Sequence, residues 1–347
     1  MTTTFNRFDL VRLLFASLVF LYHAIVLSSA QPGGAVEGGL AVLAELSIQG
    51  FFIVSGALVF GSYERSKTLA DYVEKRVRRL YPAYMIVILV PAAIACVLAL
   101  QAGLSVVDVF RYIGANLIFL NFLEPNLPGM FEGQRFTEVN GALWTLKIEV
   151  MFYMALPLIA WVLARLGKFW WIGIAVLIVS GFAWIELMMA LDGAHSAALA
   201  RQLPGQMMYF AAGIALWKLW PIMRAQAVWF GVIGAIALSL SLLVPGLEVL
   251  RVLGSAGLIA GLAFGPGPVL NVAAYGDISY GIYIVHFPIV QMLVSVGAFA
   301  VLGIWGGLVL AAILVCLVSY ALWWWVEKPA LRSDSHYKIT ATRKVLS

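Results

Sequence analysis

The chain has 347 residues, 63% of them hydrophobic and 11% charged, with a mean hydropathy of +0.97. Such values exclude a soluble domain with a polar surface, and apolar runs of spanning length without strand-like alternation exclude a β-barrel. The formal net charge of +5 does not imply a nucleic-acid partner, because the Lys and Arg residues stand in short loops beside apolar runs, where they set membrane orientation.

Apolar runs fall near residues 9–29, 44–63, 81–101, 142–164, 169–190, 205–220, 227–244, 251–265, 277–297 and 300–326. The expected fold is all-α, a polytopic transmembrane bundle of about ten helices, since helices satisfy their own backbone hydrogen bonds in lipid. The first run follows Arg7 and Arg12 as a secretory signal would. It has no convincing small-residue cleavage site, and Arg12 and His23 interrupt it, so it is read as the first span.

That span carries the first unusual residues, because an ionisable group inside a membrane helix marks a functional cavity by default. Arg12 and His23 are eleven residues apart, which leaves only about 20° between them around the helix and about 17 Å along it. A long anionic ligand could therefore hold phosphates at Arg12 and present a reactive end near His23. The bland alternative is a snorkelling Arg12 and a hydrogen-bonded packing His23.

The second span contains Gly50-Phe51-Phe52-Ile53-Val54-Ser55-Gly56, where small residues let helices approach closely. Ser55 lacks the Gly-x-Ser-x-Gly setting of a hydrolase nucleophile and is assigned instead to the ligand-binding set. Lys75-Arg76-Val77-Arg78-Arg79-Leu80-Tyr81-Pro82 precedes the third span. It is either a topological and lipid-binding cluster or a cytoplasmic clamp for anionic phosphates.

The run 106–123 is ambiguous, being interrupted by Asp108, Arg111, Asn116 and Asn121. With ten spans and a cytoplasmic N-terminus, Arg65, Lys67, Lys75, Arg76, Arg78, Arg79, Arg165, Lys168, Lys218, Arg224 and the basic tail lie inside. Arg111, Arg135, Arg201 and Arg251 then lie outside. Counting 106–123 as a full span reverses every later loop against the positive-inside tendency, so it is read as a half-depth or interfacial helix. Segment 102–141 then becomes an external feature expected to cap an outward-facing cavity.

The fourth full span opens with Trp144-Thr145-Leu146-Lys147-Ile148-Glu149, followed by Phe152 and Tyr153, so Thr145, Glu149, Phe152 and Tyr153 share one helical face. Glu149 and His23 occupy comparable depths, which makes a proton-handling pair possible; a structural ion pair of Glu149 with Lys147 or an arginine is the alternative. Ser279-Tyr280-Gly281-Ile282-Tyr283-Ile284-Val285-His286 puts a further histidine inside a span, either facing a ligand or bracing helices. His195 and His336 fall in loops, and Cys96 and Cys316 fit neither a disulfide framework nor a metal site. Residues 1–329 read as one membrane domain and 330–347 as a short basic tail.

Together, Arg12 and His23, Phe-Phe-x-x-Ser-Gly, Arg-Arg-Leu-Tyr-Pro, Trp-Thr-Leu-x-x-Glu-x-x-Phe-Tyr and Ser-Tyr-Gly-Ile-Tyr-x-x-His resemble the acyltransferase-3 family, in that order and from Asp9 to about Pro329. The resemblance implies a multispanning inner-membrane enzyme that O-acylates saccharides such as lipopolysaccharide O-antigen, exopolysaccharide or Nod-factor oligosaccharides, usually with acetyl from cytoplasmic acyl-CoA. It implies that Arg12 and His23 are the essential pair, that Trp144 and Glu149 belong to the motif of the fourth full span, and that Arg78 and Arg79 match the cytoplasmic basic motif. The chain departs from the pattern in lacking a glycine between Asp9 and Arg12 and in carrying Thr145 for a common serine.

On this basis His23 and Glu149 are the expected catalytic residues. Arg12, Arg76, Arg78, Arg79, Ser55 and His286 are expected to bind acyl-CoA, and Trp144, Thr145 and Tyr153 the acceptor. No permanent cofactor, metal or nucleic acid is expected; the partners are acyl-CoA, a saccharide or glycolipid and membrane lipid. A proton-coupled carrier and a non-catalytic part of a polysaccharide export complex are the rival readings, since both can carry intramembrane His and Glu.

Overall fold

The computed structural model describes residues 7–28, 34–191, 193–268, 276–333 and 335, and every regular element among them is helical. The ten long helices are α1 (Phe8–Leu27), α2 (Ala35–Glu64), α3 (Leu69–Gln101), α5 (Trp144–Leu166), α6 (Trp170–Ala190), α8 (Leu203–Lys218), α10 (Ala227–Leu243), α11 (Leu250–Phe264), α12 (Ser279–Ser295) and α13 (Ala298–Leu322). They match the ten apolar runs one for one. Between them lie α4 (Val107–Leu117) and the short α7 (Ser196–Ala200), α9 (Trp220–Ala225) and α14 (Lys328–Ala330).

Five stretches are long and apolar enough to cross a bilayer: Phe8–Leu27, Ala35–Glu64, Leu69–Gln101, Gly141–Ala190, which holds both α5 and α6, and Ala298–Ala330. Ala227–Leu243, Leu250–Phe264 and Ser279–Ser295 are shorter apolar helices. The protein is a multi-pass membrane protein. Two helices begin earlier than hydropathy predicts. α3 starts at Leu69, not near 81, because the charged segment bearing Lys75, Arg76, Arg78 and Arg79 continues the same helix. α2 starts at Ala35, not near 44, because the segment with Glu37, Gly38 and Gly39 continues the same helix.

The ambiguous run is resolved as α4, 11 residues long, or about 16 Å, half of the roughly 30 Å hydrocarbon core. Its C-terminal carbonyls are taken by α3: Tyr84 Oη donates to Asn116 O at 2.7 Å and Tyr81 Oη to Leu117 O at 3.1 Å. Asn121 Nδ2 donates to Tyr84 Oη at 2.9 Å and to Asn116 Oδ1 at 2.6 Å. Phe119 takes the left-handed conformation (φ 64°) with its ring stacked on Tyr84 at 4.4 Å. A non-glycine residue there costs energy that this stack and network offset.

The described residues divide into two compact units, one of residues up to Phe15, Leu46–Tyr72 and Ile148–Asn271, the other of Ala16–Glu45, Val73–Lys147 and the chain from Val272. In the first, glycines bring helix backbones together. A methyl group on Gly257 of α11 would stand 2.8 Å from Phe230 O and 3.1 Å from Gly234 Cα of α10. Gly213 of α8 lies against Ala57 N and Gly56 Cα of α2, where a Cβ would come within 2.9 Å of each. The Ser-Gly of the second span thus serves close helix approach, as expected. Arg7 caps the end of α11, its guanidinium donating to Leu262 O, Gly265 O, Gly267 O and Pro268 O at 2.8–3.2 Å. Such carbonyls have no partner within their own helix.

The second unit is held by polar side chains. Pro288 lies inside α12 and has no N–H for Ile284 O; Asn140 Nδ2 donates to that carbonyl instead, at 2.8 Å. Gln291 Nε2 donates to Phe136 O at 2.7 Å and Glu138 O at 3.2 Å, and Arg135 forks onto Glu37 at 2.8 and 3.1 Å. Segment 134–140 is thereby strapped to α12 and to the start of α2. Near the start of α12, Arg79 of α3 pairs with Asp277 and, at 3.0 Å, with Glu327. The tail beyond Ser335 and the loop 269–275 lie outside the described residues.

Candidate active site

The residues expected at the site fall into three groups, the first a histidine pair. α1 is unbroken from Phe8 to Leu27 and carries His23 near its end; α12 carries His286, which is 0% exposed, while His23 is only partly buried. His286 Nε2 stands 2.9 Å from His23 Nδ1. Each Nδ1 also lies 3.0 Å from the carbonyl one turn earlier in its own helix, Val19 O for His23 and Ile282 O for His286. The rings lie 5.0 Å apart, walled by Phe20, Tyr22 and Phe287. The motif containing His286 was visible in the sequence, but the pairing was not, because 263 residues separate the two.

Glu149 heads the second group. It is half-buried in α5, and its Oε1 accepts hydrogen bonds from Tyr153 Oη, one turn on, and from Ser55 Oγ of α2 at 3.2 Å. The one-face reading of Glu149 and Tyr153 holds here. Tyr153 is also where Pro157 leaves a carbonyl without a helix donor, and Tyr72 Oη takes it at 3.1 Å. Thr145, from the same motif, bonds elsewhere: its Oγ1 lies 2.6 Å from Tyr283 Oη and donates to Ala142 O. Trp144 opens α5 half-buried.

The third group is basic. Arg12 lies 3.8 Å from Asp9, one turn away on α1. Arg78 donates to Glu74 at 2.7 Å and to Ala330 O, while Arg76 is half-buried. Arg79 is committed to two carboxylates that are each 1% exposed, with Tyr280 and Trp323 rings 5.9 and 5.7 Å from its guanidinium. Sequence reading placed Arg79 with the cation run but did not see Asp277 or Glu327 as its partners. Chemically the three groups offer an imidazole, a hydrogen-bonded carboxylate and a set of cations, which are the parts a group transfer between an anionic donor and a hydroxyl uses.

A family profile described as an acyltransferase domain, Acyl_transf_3, matches residues 5–326. The chain belongs to the acyltransferase-3 family. It is an acyltransferase, and the match spans His23, His286, Glu149 and the basic residues from Arg12 to Arg79, ending one residue before Glu327. Similar proteins include nodulation protein 10 of Rhizobium leguminosarum bv. viciae, 26% identical over 94% of this chain and 93% of that protein. The O-acetyl transferase of Shigella phage Sf6 is 26% identical over 95% and 97%. The exopolysaccharide production protein ExoZ of Rhizobium meliloti (strain 1021) is 25% identical over 84% and 90%. No solved structure matches the chain.

Proposed function

We propose that this acyltransferase moves an acyl group, acetyl by preference, from cytoplasmic acyl-CoA to a hydroxyl of a saccharide that becomes part of the cell surface or is exported. The observation that carries the reading is a partly accessible imidazole, His23, hydrogen-bonded to a fully buried second imidazole on apolar helices of an acyltransferase. The name of the phage relative supplies O-acetyl transfer and that of the rhizobial relative supplies exopolysaccharide. The positive-inside count supports an inner-membrane protein with both ends in the cytoplasm.

In this reading the phosphates of CoA rest on Arg12, Arg76 and Arg78, with Arg79 anchoring the basic run through its two carboxylates. His23 takes the proton of the acceptor hydroxyl while that oxygen attacks the thioester carbonyl. The C–S bond then breaks and the CoA thiolate leaves with a proton returned by the imidazolium. Glu149, fixed by Ser55 and Tyr153, orients the reactants, and Trp144, Thr145 and Tyr153 line the acceptor side. Ser55 lies beside the thioester path, and His286, fully buried, stands behind His23.

The test is His23→Ala and Glu149→Ala in purified protein, with CoA release and acceptor acylation measured together. A general base contributes about 10²- to 10⁴-fold, so His23→Ala is expected to lose at least two orders of magnitude in both readouts. Wild-type turnover in a folded His23→Ala protein would remove this mechanism.

A further inference from the structure

We propose that His286 is a positioning residue that holds His23 in the tautomer whose Nε2 carries a bare lone pair. The proposal rests on the function stated above and concerns how its base is made ready.

Three contacts determine the direction of the hydrogen bonds. Val19 O and Ile282 O are carbonyl oxygens and can only accept, and each lies 3.0 Å from an Nδ1, so both Nδ1 atoms carry hydrogen. A neutral His286 protonated at Nδ1 has a lone pair at Nε2, and that atom lies 2.9 Å from His23 Nδ1. The one hydrogen on His23 Nδ1 is therefore shared between Val19 O and His286 Nε2, and the hydrogen on His286 Nδ1 goes to Ile282 O. The opposite direction would set a lone pair of each imidazole against a carbonyl lone pair at 3.0 Å.

The consequence falls on His23 Nε2. With Nδ1 fixed as the donor, Nε2 is the only nitrogen of that ring left to take a proton. When it takes one from an acceptor hydroxyl, the new imidazolium still donates through Nδ1 to His286 Nε2, a neutral acceptor in an aromatic enclosure. His286 gains and loses no proton in this step. Its role parallels that of the third member in a nucleophile–base–orienter set, which fixes tautomer and ring orientation. An imidazole suits this place because its Nδ1 is held by its own helix, leaving Nε2 aimed at α1. It also brings no fixed charge to a fully buried position.

The experiment uses the full chain in lipid nanodiscs with ¹⁵N-labelled histidine. The chain has four histidines, so His195→Gln and His336→Gln variants leave two signals, and His286→Gln tells His286 from His23. His23 and His286 are both expected to show a protonated Nδ1 and a bare Nε2, with a scalar coupling across the bond from His23 Nδ1 to His286 Nε2. A His23 protonated at Nε2, or no coupling, overturns the proposal, and neither readout depends on activity. In parallel, His286→Met removes the acceptor, whereas the amide oxygen of His286→Gln reaches the place of Nε2. Met is expected to lower kcat by about 10- to 100-fold at unchanged KM, and Gln to restore most of that loss. Equal losses in two equally stable variants would reduce His286 to packing. Full turnover in His23→Ala would instead defeat the proposed function while leaving the tautomer result standing.

Discussion

The α10–α11 pair of the first unit and α12 of the second are apolar helices of similar length, yet they are held by opposite means. At the α10–α11 seam Gly231, Gly234, Gly254, Gly257 and Gly261 put backbone against backbone. Around α12, by contrast, stand a buried ion pair at Asp277, a side-chain cap on Ile284 O, the imidazole pair at His286 and an amide clasp at Gln291. Lipid supplies no hydrophobic drive between helices, so association rests on close packing and on interhelical hydrogen bonds. Close packing is the dry solution and serves where nothing has to react. Polar fastening is expensive to bury, and it surrounds the helix that carries the second imidazole.

The largest effect expected from breaking this comparison is at the ion pair. Arg79→Met leaves Asp277 and Glu327 buried without their shared cation, and removing one partner of a buried pair costs about 3–5 kcal/mol. Chemical unfolding in lipid-like micelles checks this, and a loss below about 1 kcal/mol would mean that the carboxylates find other partners readily. Next comes the dry seam. Gly257→Leu forces a side chain against Phe230 O and Gly234 Cα, which are backbone and cannot rotate away, so about 1–3 kcal/mol is expected, toward the upper end. Because the seam lies among residues assigned no chemistry, surviving protein should keep the wild-type KM. A changed KM with unchanged stability would overturn the division of roles.

How much of this was legible in the sequence follows the same division. Spans are set by the hydropathy of consecutive residues, so all ten apolar runs became helices, and the half-depth reading of 106–123 survived because charge and helix length are local properties. Helix starts at Leu69 and Ala35 were missed, since hydropathy follows the apolar part and ignores a charged helical extension. At the site, the spacing of Glu149 and Tyr153 on one helix was readable. The partners of His23, Arg79 and Thr145, namely His286, Asp277 with Glu327, and Tyr283, were not, because each bond joins elements 138–263 residues apart. Only pairs fixed by helix periodicity can be read from a single chain.

The smallest effect is the most selective, because it tests a polar fastening with its cause attached. Asn140 serves Ile284 O only because Pro288, four residues on, has no hydrogen to offer it. Interhelical hydrogen bonds of this kind measure about 0.6–1.7 kcal/mol in membranes, so Asn140→Leu is expected to lose an amount in that range. Pro288→Ala returns a backbone donor to the same carbonyl, and in that background Asn140→Leu should cost measurably less. The coupling between the two sites, read as the difference of the two losses in a double-mutant cycle, isolates the vacated carbonyl from any other role of Asn140, including its contact with Ala142 N at 3.2 Å. Equal losses in both backgrounds would mean that Asn140 acts through that second contact and that α12 carries its proline without help. A positive coupling would mean that the helix bearing His286 was broken at Pro288 and repaired from outside, a device the glycine seam has no need of.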